Sequence, residues 1–285
     1  MGRNSEISWT HHTFNPWWGC TKVSEACKNC YAEVWSKRTG AKVWGDGAER
    51  RFFSTEHWSE PIQWNKEAIR HHKRRRVFCA SMADVLEDRR DLDLWRNRLW
   101  NIIEETPWLD WLLLTKRPEN FRKMIPWAGN WPTNVWIGTT VENQEKANQR
   151  VPILLEYPAL VRFVSCEPLL GKVDLNRWLN HYHKKQPSIR IDWVIAGGES
   201  GHNARPTHPS WARNLRDQCQ SGNVPFHFKQ WGCWRPSENG VKLGARTIRF
   251  QASDSEPITF IWKGKKAAGR DLDGRIWDEI PRIQN

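Results

Sequence analysis

The chain has 285 residues, a formal net charge of +12 at pH 7 and an isoelectric point near 9.6. No apolar run approaches the ~20 residues that span a bilayer, and the polar N-terminus lacks the apolar segment of a secretion signal. Seven cysteines, an odd number, suit a reducing compartment. We therefore predict a cytoplasmic protein without membrane contact, and the positive charge favours a polyanionic partner such as nucleic acid.

Three cysteines lie close together near the N-terminus, Cys20, Cys27 and Cys30, with the spacing C-x6-C-x2-C. Three thiolates suit a [4Fe–4S] cluster, which needs four ligands, and they leave its fourth iron open to a small molecule. Radical S-adenosylmethionine (SAM) enzymes bind SAM in this way. Zinc with a distant fourth ligand is an alternative, and buried structural thiols are another. The candidates for the distant ligand are His11, His12 and Cys79.

Two basic clusters follow along the chain. The first is the run from Arg70 to Arg76, and the second contains Lys263, Lys265, Lys266 and Arg270. Such clusters neutralise phosphates of nucleic acid, although the first also fits a solvated helix end. The residues of the first run that we predict to bind nucleic acid are Lys73, Arg74, Arg75 and Arg76. Twenty-one tryptophans are predicted mainly to fill the core, and a few to stack on bases.

Short apolar runs alternate with helical spacing from residue 76 onward. The predicted strands are 76–81, 109–115, 134–140, 160–165, 191–196 and 224–229, and the predicted helices are 91–105, 118–125, 144–156 and 210–221. Strands that are apolar throughout and separated by helices indicate a parallel sheet covered on both faces. We therefore predict an α/β fold, a full or partial (β/α) barrel of about six parallel strands. A doubly wound open sheet is the alternative.

The pattern loosens after residue 231, where only short β-like pieces occur, at 247–250 and 258–262. We predict a barrel domain over residues 1–231, which includes the N-terminal cysteine loop, and a C-terminal appendage over residues 232–285 that packs on the barrel.

Polar side chains follow each predicted strand, at the edge where parallel βα architectures bind ligands. Helix capping explains the hydroxyl groups at these positions. It explains the charged residues poorly, and we therefore assign those to function. They are Glu142, Glu167, Glu199 and Lys229.

Several stretches together resemble a phage- and prophage-associated family, catalogued as a domain of unknown function and described by its three-cysteine motif. They are NPWWGC at 15–20, CKNCYAE at 27–33, LLLTKRP at 112–118, SCEPL at 165–169, GGESG at 197–201 and LDGRIWD at 272–278. This family is grouped with radical SAM proteins and is distantly similar to spore photoproduct lyase, which repairs DNA. The resemblance covers almost the whole chain.

The resemblance implies a radical SAM enzyme in which Cys20, Cys27 and Cys30 hold [4Fe–4S] and SAM yields a 5′-deoxyadenosyl radical. The two basic clusters and the many tryptophans favour a nucleic-acid substrate, DNA more than RNA, for repair or base modification. An electron donor and a protein partner are further expectations. The alternative function is that of a zinc-stabilised, non-catalytic nucleic-acid-binding protein.

We expect SAM to be bound by polar residues that lie at the ends of the predicted strands. They are Thr115, Lys116, Glu142, Ser165, Glu167 and Glu199. Cys166 is the expected catalytic residue, since a thiol there would return a hydrogen atom to a substrate radical, as a rim cysteine does in the photoproduct lyase. A buried structural thiol is the alternative for Cys166.

Overall fold

The computed structural model of the protein describes residues 2–127, 129–180, 189–237, 245–252 and 255–283. Its main sheet has seven strands in the order β1 to β7. They are β1 His12–Thr13, β2 Arg75–Cys79, β3 Leu109–Thr115, β4 Val135–Thr140, β5 Arg162–Cys166, β6 Trp193–Gly197 and β7 Phe226–Gln230. Because the strands follow chain order and alternate with helices, the fold is α/β with a partial (β/α) barrel.

Eight α-helices lie within the described residues. They are α1 Tyr31–Arg38, α2 Thr55–Arg70, α3 Asp93–Glu105, α4 Phe121–Met124, α5 Gln144–Leu155, α6 Asn176–Leu179, α7 Pro209–Ser221 and α8 Lys265–Ala268. The remaining strands are β8 Trp234–Pro236, β9 Thr247–Phe250, β10 Ile258–Trp262, β11 Asp271–Leu272 and β12 Arg275–Ile276. None of the helices that the structure describes combines the length and apolarity needed to cross a bilayer.

The predicted parallel sheet is confirmed, and all six predicted strands are present within two residues of their expected ends. Every residue of β4, β5 and β6 is buried, as a sheet covered on both faces requires. The number of strands is seven, however, because the sheet begins with β1. That strand has two residues, and it pairs His12 with Val77 and Thr13 with Phe78.

Helix α2 is the largest element that the sequence analysis did not predict. Pro61 lies inside it, and proline disfavours a helix interior because it lacks an N–H and its ring crowds the preceding turn. Burial compensates in the folded chain, since Trp58, Trp64 and Ala68 on one face of α2 are each almost fully buried. The tertiary packing of α2 therefore outweighs the unfavourable effect of Pro61 on the helix.

The chain divides into two compact units. One comprises residues 1–24, 32–139 and 156–162, and the other comprises residues 25–31, 140–155 and 163–285. The first unit contains β1 to β3 and most of β4. In this unit β1–β2, β2–β3 and β3–β4 are parallel pairs.

The second unit contains most of β5 together with β6 and β7, which pair in parallel, and the C-terminal elements. The antiparallel sheet β8–β10–β9 encloses a small core around Trp234 and Phe260. A later segment pairs with β7, where the Phe228 N–H donates to the Trp277 carbonyl (2.8 Å) and the Glu279 N–H to the Phe226 carbonyl (3.2 Å). The predicted boundary at residue 231 stays a prediction. Within the predicted appendage, residues 238–244, 253–254 and 284–285 lie outside the described residues.

Candidate functional site

The three cysteines of the N-terminal motif differ from the other four in accessibility. None of the seven cysteines forms a disulfide among the described residues, and Cys20, Cys27 and Cys30 are half-buried, whereas the other cysteines are buried. Cys27 ends a short 3-10 turn that begins at Glu25, and Cys30 directly precedes α1. The motif cysteines are therefore the thiols that a ligand reaches most easily.

Arg117, in the first unit, is the charged side chain beside Cys20. Its Nη1 lies 3.6 Å from the Cys20 Sγ and 3.0 Å from Asp84 Oδ2, and its Nη2 donates to the Thr21 carbonyl at 2.7 Å. Burial, followed by the negative charge of Asp84, raises the pKa of the Cys20 thiol to about 12, and Arg117 opposes this effect. A metal ion that binds Cys20 must therefore displace a proton.

A buried ion pair supports the segment that follows Cys20. Arg50 Nη2 contacts Glu87 Oε1 at 2.7 Å, and the side chains are 0% and 4% exposed. Glu87 also accepts a hydrogen bond from the Thr21 N–H (2.9 Å). The Arg50 Nη1 donates to the carbonyls of Val43, Gly45 and Ala48.

Gly19 is required at the position before Cys20. Its φ is +117°, and a Cβ there would lie 2.6 Å from the Arg50 Cδ and closer still to the Val43 carbonyl oxygen. Only glycine fits this close approach. The motif NPWWGC thus contains a backbone requirement as well as a potential ligand.

In the second unit, Glu199 holds the turn between Cys27 and Cys30. Asn29 Nδ2 donates to Glu199 Oε2 at 3.0 Å, and Arg205 binds the same carboxylate through its backbone N–H, Nε and Nη2 at 2.8, 2.9 and 2.6 Å. Arg205 also contacts Glu25 (2.9 Å). With four donors already on Glu199, these contacts favour a positioning role for this residue over the predicted contact with SAM.

The other acidic residues selected at strand ends have internal partners. Lys229 Nζ lies 2.8 and 2.9 Å from the two carboxylate oxygens of Glu167. Glu142 is wholly buried, and its Oε2 accepts from Arg150 Nη1 at 2.8 Å. Its Oε1, in contrast, is buried and has no donor among the described residues. Glu142 therefore retains one free acceptor.

Of the remaining SAM-binding candidates, only Lys116 has a free ionic group. The Thr115 hydroxyl donates to Asp84 (2.8 Å), and Ser165 is buried. No group in the described ranges pairs with the Lys116 ammonium, which is half-buried. Cys166 is fully buried, and burial, followed by the charge of Glu142, raises the pKa of its thiol. Its role as a hydrogen-atom donor stays a prediction.

The four residues predicted to bind nucleic acid fall into two groups. Arg74 pairs with Asp110 (2.6 Å), and Arg76 Nε donates to the Trp9 carbonyl (3.0 Å). Lys73 is exposed and Arg75 is half-buried. Among the residues that the structure describes, none pairs with either of these two side chains. Of the four predicted residues, Lys73 and Arg75 are therefore the two available to an anion.

The second basic cluster contains one unusual residue. The three lysines Lys263, Lys265 and Lys266 are exposed. Arg270, in contrast, has its Nε and Nη2 buried with no hydrogen-bond partner in the described part of the chain. Buried N–H donors without an acceptor are unfavourable, and an anionic ligand that accepted from these two nitrogens would relieve that cost.

His11 and His12 lie at the start of β1. Burial, followed by the charge of Arg76 for His11 and of Arg75 for His12, lowers the pKa of each imidazole from 6.5 to about 4. The unfolded chain therefore binds more protons between these two pH values, and stability falls as the pH drops through that window. We expect wild type to lose on the order of 2–5 kcal/mol more than a His11→Asn/His12→Asn variant between pH 7 and 4.5 in urea unfolding, the lower figure allowing for solvent screening of the partly exposed rings. Equal losses would contradict this account.

Across the described ranges, no three His, Cys, Asp or Glu side chains gather in a group that would hold a metal ion. The cluster and zinc assignments of the motif cysteines therefore both stay predictions. The donor type fits a cluster, because cysteine thiolates are the ligands that iron–sulfur centres use, and the three half-buried thiols lie on one short segment of the sequence.

Fold and site together define an α/β protein with a partial barrel and an accessible three-cysteine segment. A family model described as "Protein of unknown function (DUF5131)" matches residues 4–281, and the chain belongs to that family. The predicted membership in a family catalogued in this way is thereby confirmed. No curated protein and no solved structure matches the chain.

Proposed function

We propose that this protein is a radical SAM enzyme that acts on nucleic acid, with Cys20, Cys27 and Cys30 as the protein ligands of a [4Fe–4S] cluster. The observation that carries the proposal is the contrast among the cysteines, since these three are half-buried and the others are buried. When bound, the cluster and SAM supply a radical that abstracts hydrogen from the substrate.

The chain's own residues would hold the cysteines in place for ligation. Arg117 contacts Cys20 and the Thr21 carbonyl. Glu199 and Arg205 restrain the turn that carries Cys27 and Cys30, through Asn29 and Glu25. Such outer contacts fix ligand geometry, and their loss typically weakens metal binding.

Two groups are available to hold SAM. The half-buried ammonium of Lys116 would pair with the SAM carboxylate. The buried Oε1 of Glu142, which lacks a donor among the described residues, would accept from a ribose hydroxyl. Glu199 is better explained as a positioning residue, because its carboxylate already accepts from Asn29 and Arg205.

The substrate class follows from charge. The net charge of +12 favours a polyanion, and Lys73, Arg75 and Arg270 have cationic groups without partners among the described residues. The resemblance to spore photoproduct lyase and to phage-associated proteins favours DNA, with a lyase or base-modifying reaction. An electron donor is required, a protein partner is expected, and reduced thiols suit the cytoplasm.

Anaerobic reconstitution with iron and sulfide tests the proposal. We expect about four irons per chain, and an EPR signal after dithionite reduction that changes when SAM is added. Single Cys20→Ala, Cys27→Ala and Cys30→Ala variants should lose both the iron and the signal. Cys219→Ala, which removes a buried cysteine in α7, is the matched control and should retain both.

One tightly bound zinc, with no cluster that can be reconstituted, would instead favour a non-catalytic nucleic-acid-binding protein. Iron binding that is equally strong in Cys20→Ala and Cys219→Ala would also refute the ligand assignment.

A further inference from the structure

A cleft of about 450 Å³ lies at the amino ends of β1 and β2, beside the C-terminal end of α2. Gly19, directly before Cys20, pairs with Ala83 beyond the carboxyl end of β2, so the cleft lies at the other end of these strands from Cys20. The lining residues that matter for its chemistry are Arg3, His11, His12, Trp64, Glu67 and Arg75.

Hydrogen bonds fix the tautomers of both histidines. His11 Nδ1 accepts from the Arg76 N–H at 2.8 Å, and His12 Nδ1 accepts from the Asn4 N–H at 3.2 Å. A backbone N–H can only donate, so the proton of each neutral ring lies on Nε2. No acceptor for either Nε2–H occurs among the described residues. The cleft therefore has two unused neutral donors.

One cation in the cleft lining lacks a counter-charge. Arg3 Nη2 binds both carboxylate oxygens of Glu67, at 2.8 and 2.9 Å, so these two charges neutralise one another. The guanidinium of Arg75 is half-buried and pairs with no group in the part of the chain that the structure describes. Arg75 is thus the uncompensated charge of the cleft.

The lining is held rigidly where the donors lie. The His12 ring stacks on the Trp64 indole with centroids 4.6 Å apart and an interplanar angle of 16°. The Thr10 hydroxyl donates to the carbonyl oxygens of His12 and Arg76, both at 3.0 Å. Donors that are fixed in advance lose little freedom on binding.

We propose that this cleft binds a phosphoryl group, with the Arg75 guanidinium as its counter-charge and the Nε2–H groups of His11 and His12 as neutral donors. A guanidinium beside a phosphate makes short, charge-assisted hydrogen bonds. The phosphoryl group has two sources with the same chemistry, the backbone of a nucleic acid and free phosphate or a small phosphate ester. The site does not depend on the cysteines or on the proposed function.

Inorganic phosphate is the first probe, titrated into the full chain while the histidine ring signals are followed by NMR. We expect saturable shifts of the His11 and His12 signals. Arg75→Gln should weaken phosphate binding by about tenfold or more. Lys66→Gln is the matched control, since Lys66 is exposed and outside the cleft lining, and it should change the affinity by less than about twofold.

A single-stranded oligonucleotide distinguishes the two sources. If it displaces phosphate from the wild type and binds at least about tenfold more weakly to Arg75→Gln, the nucleic-acid backbone is the ligand. If it leaves the phosphate-shifted signals unchanged, the ligand is free phosphate or a small ester. The proposal is overturned if phosphate gives no saturable shift of either ring, or if Arg75→Gln and Lys66→Gln weaken binding equally. None of these results depends on a cluster.

Discussion

Gly198→Ala is expected to lower the free energy of unfolding by about 3 kcal/mol. A Cβ at Gly198 would lie 2.5 Å from the carbonyl carbon of Trp231 and closer still to its oxygen. Both atoms belong to the backbone that follows β7, and they cannot rotate away as a flexible side chain would. The backbone at position 198 and the backbone at Trp231 must therefore move apart, which distorts the ends of β6 and β7.

Gly232 shows the same constraint from the other side. Its φ is +80°, and a Cβ there would lie 2.7 Å from the carbonyl carbon of Glu199. The segments that follow β6 and β7 can therefore approach each other closely only because Gly198 and Gly232 have no side chain. This approach also fixes the position of Glu199, which follows β6. We expect Gly198→Ala to reduce iron binding as well, because Glu199 restrains the turn of Cys27 and Cys30 through Asn29.

Gly197→Ala is the matched control for that experiment. A Cβ at Gly197 would meet its nearest atoms at 3.4 and 3.5 Å, which is ordinary van der Waals contact. Urea unfolding of the two variants should show a large loss for Gly198→Ala and a loss below about 1 kcal/mol for Gly197→Ala. Similar losses of unfolding free energy in the two variants would show that the close backbone approach at Gly198 does not cause the destabilisation.

Arg50→Met is expected to lower the free energy of unfolding by about 3–5 kcal/mol. Glu87 would then lie 4% exposed without the guanidinium that neutralises it, and a buried unpaired carboxylate is strongly unfavourable. The carbonyl oxygens of Val43, Gly45 and Ala48 would lose their donor too. We expect iron binding to weaken in parallel, because Glu87 accepts from the Thr21 N–H directly after Cys20.

Two further variants make this prediction specific. Lys37→Met removes a cation that is 67% exposed and whose partner Glu33 keeps a second cation, Lys22, so its loss should stay below about 1 kcal/mol. The double variant Arg50→Met/Glu87→Leu removes both charges and should recover part of the stability lost in Arg50→Met. A double variant that is no more stable than Arg50→Met would show that the lost carbonyl contacts, and not the unpaired charge, account for the effect.

The parallel sheet could be predicted from the sequence because its strands are continuous apolar runs. Leu109–Thr115 is the clearest example, found at the predicted residues with six of its seven positions buried. Strand β1 could not be found in this way, since two residues show no periodicity. Helix α2 was missed because Pro61 argues against a helix locally, and its buried tryptophans stabilise it only after the chain has folded.

The residues of the candidate site also fall into those that the sequence reveals and those that only the fold brings together. Spacing alone identifies Cys20, Cys27 and Cys30 as candidate ligands, because residues on one short segment can be recognised together in the sequence. The residues that position them are not visible, since Arg205 and Glu25 are separated by 180 positions. Strand-end position selects Glu199 as a candidate, but it cannot reveal that Arg205 already occupies the carboxylate.

The segment that pairs with β7 has a consequence for synthesis on the ribosome. The Phe228 N–H and Phe226 carbonyl of β7 are bonded by Trp277 and Glu279, which emerge well after β7 itself. At about 5–20 residues per second, the roughly 50 intervening residues leave that sheet edge uncovered for about 2–10 s. An uncovered edge is a template for another chain. Slow translation or early termination in this interval would therefore expose the nascent protein to aggregation, and expression yield should depend on codon usage there.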